Sequence, residues 1–277
     1  MKTTPPAPDT PVIDFSQVRY SPGAAPLFDG LSLRIPPKAC TVVMGASGAG
    51  KSTLLRLGAG LIPADEGKIA FQARDWSELS DHENAVVRED LGFAFQNGAL
   101  WANASVYRNV ELPYLYHRPK ADRQEVRDAV TRAARMAGIS GQLGQMPSQL
   151  SLGEKKLVSL ARALVMDPQV ILLDDPTGGL DPQATESLVQ LFSDLKRQGR
   201  TLVVVTQEPQ VTARIADRLV LLKTGQVLAE GTFAEVTRLT DPAVTAILTS
   251  VLSQAATFSG DILDLLSIDQ DDGKALK

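Results

Sequence analysis

The chain has 277 residues, 44% hydrophobic and 22% charged, with a formal charge of −4 and one cysteine, Cys40. These values exclude a wholly disordered, collagen-like or disulfide-stapled chain and give no global basic field for nucleic acid. No apolar run approaches the ~18 residues of a membrane-spanning helix, and MKTTPPAPDT lacks an apolar leader core, so the expectation is a soluble protein of a reducing compartment.

Residues 1–11 hold four prolines and read as a flexible lead-in. Val12–Val18 and Leu31–Ile35 alternate as half-buried strands, separated by the turn-rich SPGAAP. Thr41–Met44 is a short apolar strand running into glycine, and Ser52–Leu61 reads as a helix stopping before Pro63. Gly67–Phe71 and Leu91–Phe95 are further strands. The middle is helical: Asp122–Ala137 carries Val126, Val130, Ala133 and Ala137 on one face, and Ser151–Met166 turns Leu157, Leu160, Ala161, Leu164 and Val165 inward.

From there strands and helices alternate. Val170–Leu173, Thr201–Thr206 and Leu219–Lys223 are strands, Pro182–Arg197 and Glu208–Ala216 are helices, and Gly225 turns into Gln226–Glu230. This order predicts an α/β fold with a mostly parallel sheet. Thr232 with Glu235 fits a capping box, and Asp241–Pro242 an N-cap with proline in the first turn. Asp261–Lys277 reads as a loosely held acidic tail.

The chemistry concentrates in GASGAGKST, Gly45–Thr53, between a strand and a helix. Gly45, Gly50, Lys51 and Ser52 match G-x-x-x-x-G-K-[ST], with Ser47, Gly48 and Thr53 in the same loop. The glycines let successive N–H groups face one anion at a helix N-terminus. Lys51 then reaches the β- and γ-phosphates, and the Ser52 hydroxyl ligates Mg²⁺. A second anchor is VILLDD, where Asp174 ends an apolar strand in the manner of a carboxylate that holds the Mg²⁺ shell.

LSLGE, Leu150–Glu154, lies between these motifs. With it, the stretch from Val12 to Glu235 resembles the ATP-binding subunits of ABC transporters. The resemblance implies a P-loop ATPase domain over 12–237, with an antiparallel β subdomain and a helical subdomain at about 97–166, followed by an extension at 238–277. It implies ATP and Mg²⁺, transmembrane permease subunits as partners, no nucleic acid, and a peripheral place on the cytoplasmic side of the inner membrane. In that family two chains sandwich two ATP molecules, each site joining one chain's P-loop to the other's signature. By position, Tyr20 matches the aromatic that stacks on adenine, Gln96 the Q-loop glutamine that serves metal and water, and Asp181 in GGLDP the D-loop aspartate. Ser151 and Gly153 fall in the signature, where Ser151 and Glu154 also have capping-box spacing.

The chain departs from the family's pattern at several positions. Leu152 and Glu154 change the usual LSGGQ or LSGGM signature. Asp175 stands for the catalytic glutamate, Gln207 for the switch histidine, and Lys38 for a glycine before the P-loop strand. Asp175 is one methylene short, a reach deficit of about 1 Å that can cost ~10²-fold in rate. Loss of one stabilising donor at position 207 costs on the order of 10²–10³. The expectation is therefore intact ATP binding with slow hydrolysis. Because both half-sites of the chain are altered, a homodimer is favoured.

FQNGALWANASVYRNVELP, Phe95–Pro113, and DPAVTAIL, Asp241–Leu248, look like the MCE-associated branch that serves Mla- and Mce-type phospholipid transport in bacterial envelopes. That implies an MCE-type substrate-binding partner. Leu100, Trp101 and Val106 are candidates for the groove that receives the permease, with a core place for Trp101 equally open. Two other functions compete: a regulatory subunit that clamps on ATP and barely hydrolyses it, and a soluble ABC protein of translation or DNA repair. The charge balance argues against the last.

Overall fold

The computed structural model describes residues 10–248. Most of the expected lead-in, and all of the expected acidic tail, lie outside that range. In chain order the elements are β1 (Ile13–Tyr20), β2 (Phe28–Ile35), β3 (Cys40–Met44), α1 (Lys51–Gly58), β4 (Glu66–Phe71), β5 (Arg74–Asp75), α2 (Asp81–Arg88), β6 (Leu91–Ala94), α3 (Val106–His117) and α4 (Arg123–Met136). Then come α5 (Leu152–Leu164), β7 (Val170–Asp174), α6 (Pro182–Arg197), β8 (Thr201–Val205), α7 (Pro209–Ile215), β9 (Arg218–Lys223), β10 (Gln226–Thr232) and α8 (Phe233–Thr237).

The main sheet has the order β10-β9-β3-β8-β7-β6, parallel throughout except for β10, which pairs antiparallel with β9. The expected α/β class with a mostly parallel sheet is the observed one. The second sheet, β2-β1-β4-β5, is antiparallel. The strands of the main sheet read as unbroken apolar runs because both faces are covered. Val42, Met44, Ile171, Leu173, Leu202 and Val204 join the core beneath the helices, whereas Val43, Leu172, Val203 and Val205 join the core shared with α1 and the antiparallel sheet. This leaves the C-terminal edge of the parallel strands as a crevice where loops gather, the usual place for a ligand in such a sheet.

Several elements differ from the sequence expectation. The first helix ends at Gly58 rather than Leu61. Gly60 takes φ 61°, and the Trp76 ring packs so closely that a Cβ there would lie 2.6 Å away. No element was expected at α2 or α3. α2 buries only Val87, so it has almost no apolar face to read, although its Ser80–Glu83 capping box is a legible start. α3 holds Val106, Val110 and Tyr114 inward at four-residue spacing, but Pro113 interrupts the pattern. Residues 242–248 are helical and bury Val244 and Ile247 in the main core, so packing continues past the expected limit at 237. Asp241 caps that turn, accepting from Ala243 N at 2.7 Å.

The groove candidates separate. Val106 is fully buried and belongs to the core, Leu100 is partly buried against it, and Trp101 is 64% exposed. Asn109, itself buried, holds the loop: its Oδ1 accepts from Trp101 N at 2.8 Å and its Nδ2 donates to Ala104 O at 3.0 Å. Trp101 is thus presented on a fixed backbone rather than packed inside.

Candidate functional site

Between β3 and α1 the chain must curl tightly. Gly45 has φ 155°, and a Cβ there would come 2.1 Å from Leu222 O, so only glycine fits. Gly50, at φ 99°, caps α1 without any side-chain hydrogen bond to the first turn. The N–H groups of that turn therefore remain available to an anion, with the helix dipole behind them. Lys51 is 7% exposed, and its Nζ donates to Gly45 O at 2.7 Å and Ala46 O at 2.8 Å. Burial lowers the Lys51 pKa, against the pull of Asp174 and Asp175.

Asp174 ends β7 at 2% exposure. Its Oδ1 accepts from Ser52 Oγ at 2.8 Å, while its Oδ2 is buried with no hydrogen-bond partner among the described residues. Burial pushes the Asp174 carboxyl up, and the Ser52 hydroxyl opposes the rise. A desolvated carboxylate oxygen left unpaired beside a hydroxyl is a poor arrangement by itself and a good one for a hard cation with oxygen ligands. Ser52, Asp174 and the amide of Gln96 therefore fit Mg²⁺. When bound there, the ion neutralises charge on the β- and γ-phosphate oxygens.

These groups line one cleft of about 1070 Å³, which also contains Ser47, Gly48, Thr53, Asp175 and Gln207. That volume is at the upper end for small-molecule sites and accommodates a nucleoside triphosphate. Not every predicted residue reaches it. Tyr20 sits at the end of β1 against the neighbouring core and is absent from the lining, where Leu27 appears instead. Asp181 is the N-cap of α6, its Oδ1 accepting from Ala184 N at 2.8 Å. Ser151 and Gly153 lie at the start of α5, outside this lining. A Cβ on Gly153 would come 2.8 Å from the terminal methyl of Leu180, so the start of α5 packs closely on the loop before α6. Ser151 Oγ donates to Glu154 Oε2 at 2.9 Å, which commits its proton within the chain, and Leu152 is 56% exposed.

The far end of the cleft is wired in a way the sequence did not announce. Asp175 adopts φ 50° and its Oδ2 accepts from Lys156 Nζ at 2.8 Å. Lys156 comes from α5, is 6% exposed, and also donates to the carbonyls of Asp175 and Gly178. All three ammonium protons are thus used. Sequence reasoning turned Leu157 inward and passed over Lys156, yet Lys156, Leu160 and Leu164 share four-residue spacing and a buried face. Glu208 was also missed: it lines the cleft, and its Oε1 accepts from Thr177 Oγ1 at 3.0 Å.

A P-loop at the head of a two-sided parallel sheet, a strand-end carboxylate beside it and a capped helix bearing LSLGE define an ATP-binding cassette. Residues 28–178 match the family described as ABC transporter, and the chain belongs to that family. Relatives include the nickel import ATP-binding protein NikO of Rhodobacter capsulatus, 38% identical over 82% of this chain and 91% of that protein. The methionine import ATP-binding protein MetN of Brucella abortus is 35% identical over 82% of this chain. The match spans 61% of MetN's length, so the chain covers about three fifths of that relative. Among solved structures, a dimeric ATP-binding cassette in a post-hydrolysis state with ADP and Pi is 32% identical at a TM-score of 0.74, over 79% of this chain and 98% of that one.

Proposed function

We propose that the chain is the ATP-hydrolysing subunit of an ABC transporter. The observation that carries this reading is the Ser52–Asp174 pair with its unpartnered Asp174 Oδ2, set beside the Lys51 loop. In this reading the first-turn N–H groups of α1 bind the phosphates, and Lys51 transfers its ammonium from the loop carbonyls to the β- and γ-phosphates. Gln96, Asp175 and Gln207 bound the γ-phosphate end. Residues 12–237 form the ATPase unit with its helical part near 97–166, and the helical turn at 242–248 packs on its core.

The site works as half of a pair. Ser151 and Gly153 stand outside their own chain's cleft, as residues that serve a second copy must, and a homodimer is the simplest arrangement. Permease subunits dock over the exposed Trp101, which places the chain peripherally on the cytoplasmic side of the inner membrane. Among the described residues no helix is long and apolar enough to cross a membrane. The segment Phe95–Pro113 favours a phospholipid cargo with an MCE-type binding partner, although NikO and MetN are named for other cargoes. An ATP clamp with little turnover is a second reading, favoured by the Lys156–Asp175 ion pair.

The test is Mg²⁺-dependent binding of a fluorescent ATP analogue together with MgATP turnover, wild type beside Lys51→Ala. Binding with turnover above that blank supports the engine, and binding without turnover selects the clamp. Absence of both refutes the proposal. Copurification with a permease whose bound molecules are not lipids would remove the phospholipid assignment alone.

A further inference from the structure

We infer that the carboxylate serving the attacking water is Glu208, and that Asp175 has become a strut between α5 and the loop after β7. The inference rests on the hydrolytic reading above and assigns that site its base.

Two sets of observations carry it. First, Asp175 is already committed. Its Oδ2 pairs with Lys156 at 2.8 Å, the ammonium is almost wholly buried, and the same Nζ ties down the Asp175 and Gly178 carbonyls. A carboxylate oxygen held by a buried ammonium is fixed in place and cannot swing out to meet a water. Its geometry is fixed from behind as well: a Cβ on Gly178 would lie 2.4 Å from Asp175 Oδ2, so the carboxylate rests against that glycine. In place of a free acid at the γ-phosphate end, the chain has an internal ion pair linking the signature helix to the residues that precede Asp181.

Second, Glu208 is held in the cleft by neutral hydroxyls. Thr177 Oγ1 donates to its Oε1 at 3.0 Å. Its N–H donates to Thr206 Oγ1 at 3.1 Å, and its carbonyl accepts from Thr212 Oγ1 at 2.9 Å. These threonines are each at most 1% exposed, so the residue is fixed at backbone and side chain by buried hydroxyls. It follows Gln207 directly and shares the cleft with Lys51, Ser52, Gln96 and Asp174. Burial raises the Glu208 pKa, the charge of Asp175 adds to the rise, and the Thr177 hydrogen bond opposes it. A partly desolvated carboxylate is a better proton acceptor than an exposed one.

The step balances within a nucleoside triphosphate and one water. The water oxygen forms a bond to the γ-phosphorus, and its proton passes to a Glu208 carboxylate oxygen. The bond from the γ-phosphorus to the β–γ bridging oxygen breaks, and its electron pair leaves on the diphosphate. The proton then returns from Glu208 to the released phosphate, restoring the carboxylate.

The full chain is compared with Glu208→Gln and Asp175→Asn. Fluorescent ATP-analogue affinity and thermal midpoint are measured beside kcat and KM. Glu208→Gln keeps the acceptor for Thr177 and is expected to lower kcat at least ~10²-fold with KM, affinity and midpoint nearly unchanged, the scale of a lost general base. Asp175→Asn is expected to lower kcat less than ~10-fold while lowering the midpoint, as removal of a strut should. Thr177→Val, which frees the Glu208 side chain, should fall between them in kcat and supports the assignment independently if Glu208→Gln folds poorly. The reverse order, with Asp175→Asn inactive and Glu208→Gln near wild type, overturns the inference while leaving the ATPase reading standing. Wild-type turnover no higher than Lys51→Ala overturns both.

Discussion

The two ends of the cleft have been treated differently by this sequence. At the phosphate end, Gly45 and Gly50 take positive φ, Lys51 is held by the loop carbonyls, and Ser52 donates to Asp174. At the far end Asp175 and Gln207, and in the signature outside the cleft Leu152 and Glu154, depart from the pattern that the resemblance implies, and three of the four are accounted for by contacts or exposure within the chain itself. Asp175 is paired with Lys156, Glu154 with Ser151, and Leu152 is exposed to solvent. The phosphate loop depends on backbone curvature, and at Gly45 that curvature leaves no room for a side chain. Water attack depends on side-chain reach, and side chains can exchange roles when a neighbour fixes the old one.

Asp174→Asn should break the intact end outright. Without the charge the Mg²⁺ corner fails, and several kcal/mol of transition-state stabilisation go with it, on the order of 10³-fold in turnover. Nucleotide binding without Mg²⁺ should change little. A variant that keeps its Mg²⁺ dependence would show that the metal sits elsewhere.

Lys156→Met tests the rewired end through stability. It leaves the Asp175 carboxylate and two carbonyls without their ammonium, and breaking a buried pair in this way costs about 3–5 kcal/mol, a fall of roughly 10 °C in Tm. The partners are in contact, so Lys156→Met combined with Asp175→Asn should be less damaging than the sum of the two. Strict additivity in calorimetry would mean that the ion pair contributes nothing.

Much of this was legible and some was not, for physical reasons. The parallel strands and α6, which begins and ends where the sequence placed it, announce themselves through long apolar runs and a capping Asp181 before Pro182. The P-loop is legible because its function constrains consecutive residues. Lys156 and Glu208 act across gaps of 19 and 31 residues, on Asp175 and Thr177 respectively. Nothing local reports such a pairing. A lysine on the apolar face of α5 was the available hint. Tyr20 was assigned by position alone, and it packs at the end of β1 beside Leu27, which does line the cleft.

The signature end also predicts a pH effect. The Ser151 N–H donates to Glu154 Oε2 at 2.8 Å, and this bond with that from Ser151 Oγ holds the Glu154 pKa below its ordinary 4.5. A depressed carboxyl adds stability that is complete above the unfolded value and is lost as pH falls through the lower folded value. The Ser151 amide resonance should therefore titrate with a midpoint under 4.5, starting from a plateau at neutral pH. A midpoint at or above that value would mean the cap is not formed in solution, and that the Ser151 hydroxyl proton is free for a phosphate.

The smallest effect concerns Lys38, where the family has glycine. Lys38 adopts φ 56°, and its N–H donates to Thr201 Oγ1 at 2.8 Å, joining the approach to β3 to the start of β8. The left-handed conformation costs an L-residue roughly 1–2 kcal/mol. Lys38→Gly would relieve that strain and keep the hydrogen bond, but it would also loosen the unfolded chain by about 0.4–1 kcal/mol. The difference should stabilise the protein by about 0.5–1 kcal/mol, or roughly 2 °C in Tm. Lys38 and Thr201 lie where β3 and β8 begin, whereas the cleft lies beyond the other ends of β3, β7 and β8, so turnover and nucleotide affinity should not move. A fall in Tm would show that the Lys38 side chain contributes more than its backbone strain removes. A change in turnover would mean that the pairing of β3 with β8 reaches the chemistry, and the two ends of the cleft could then no longer be treated as separable.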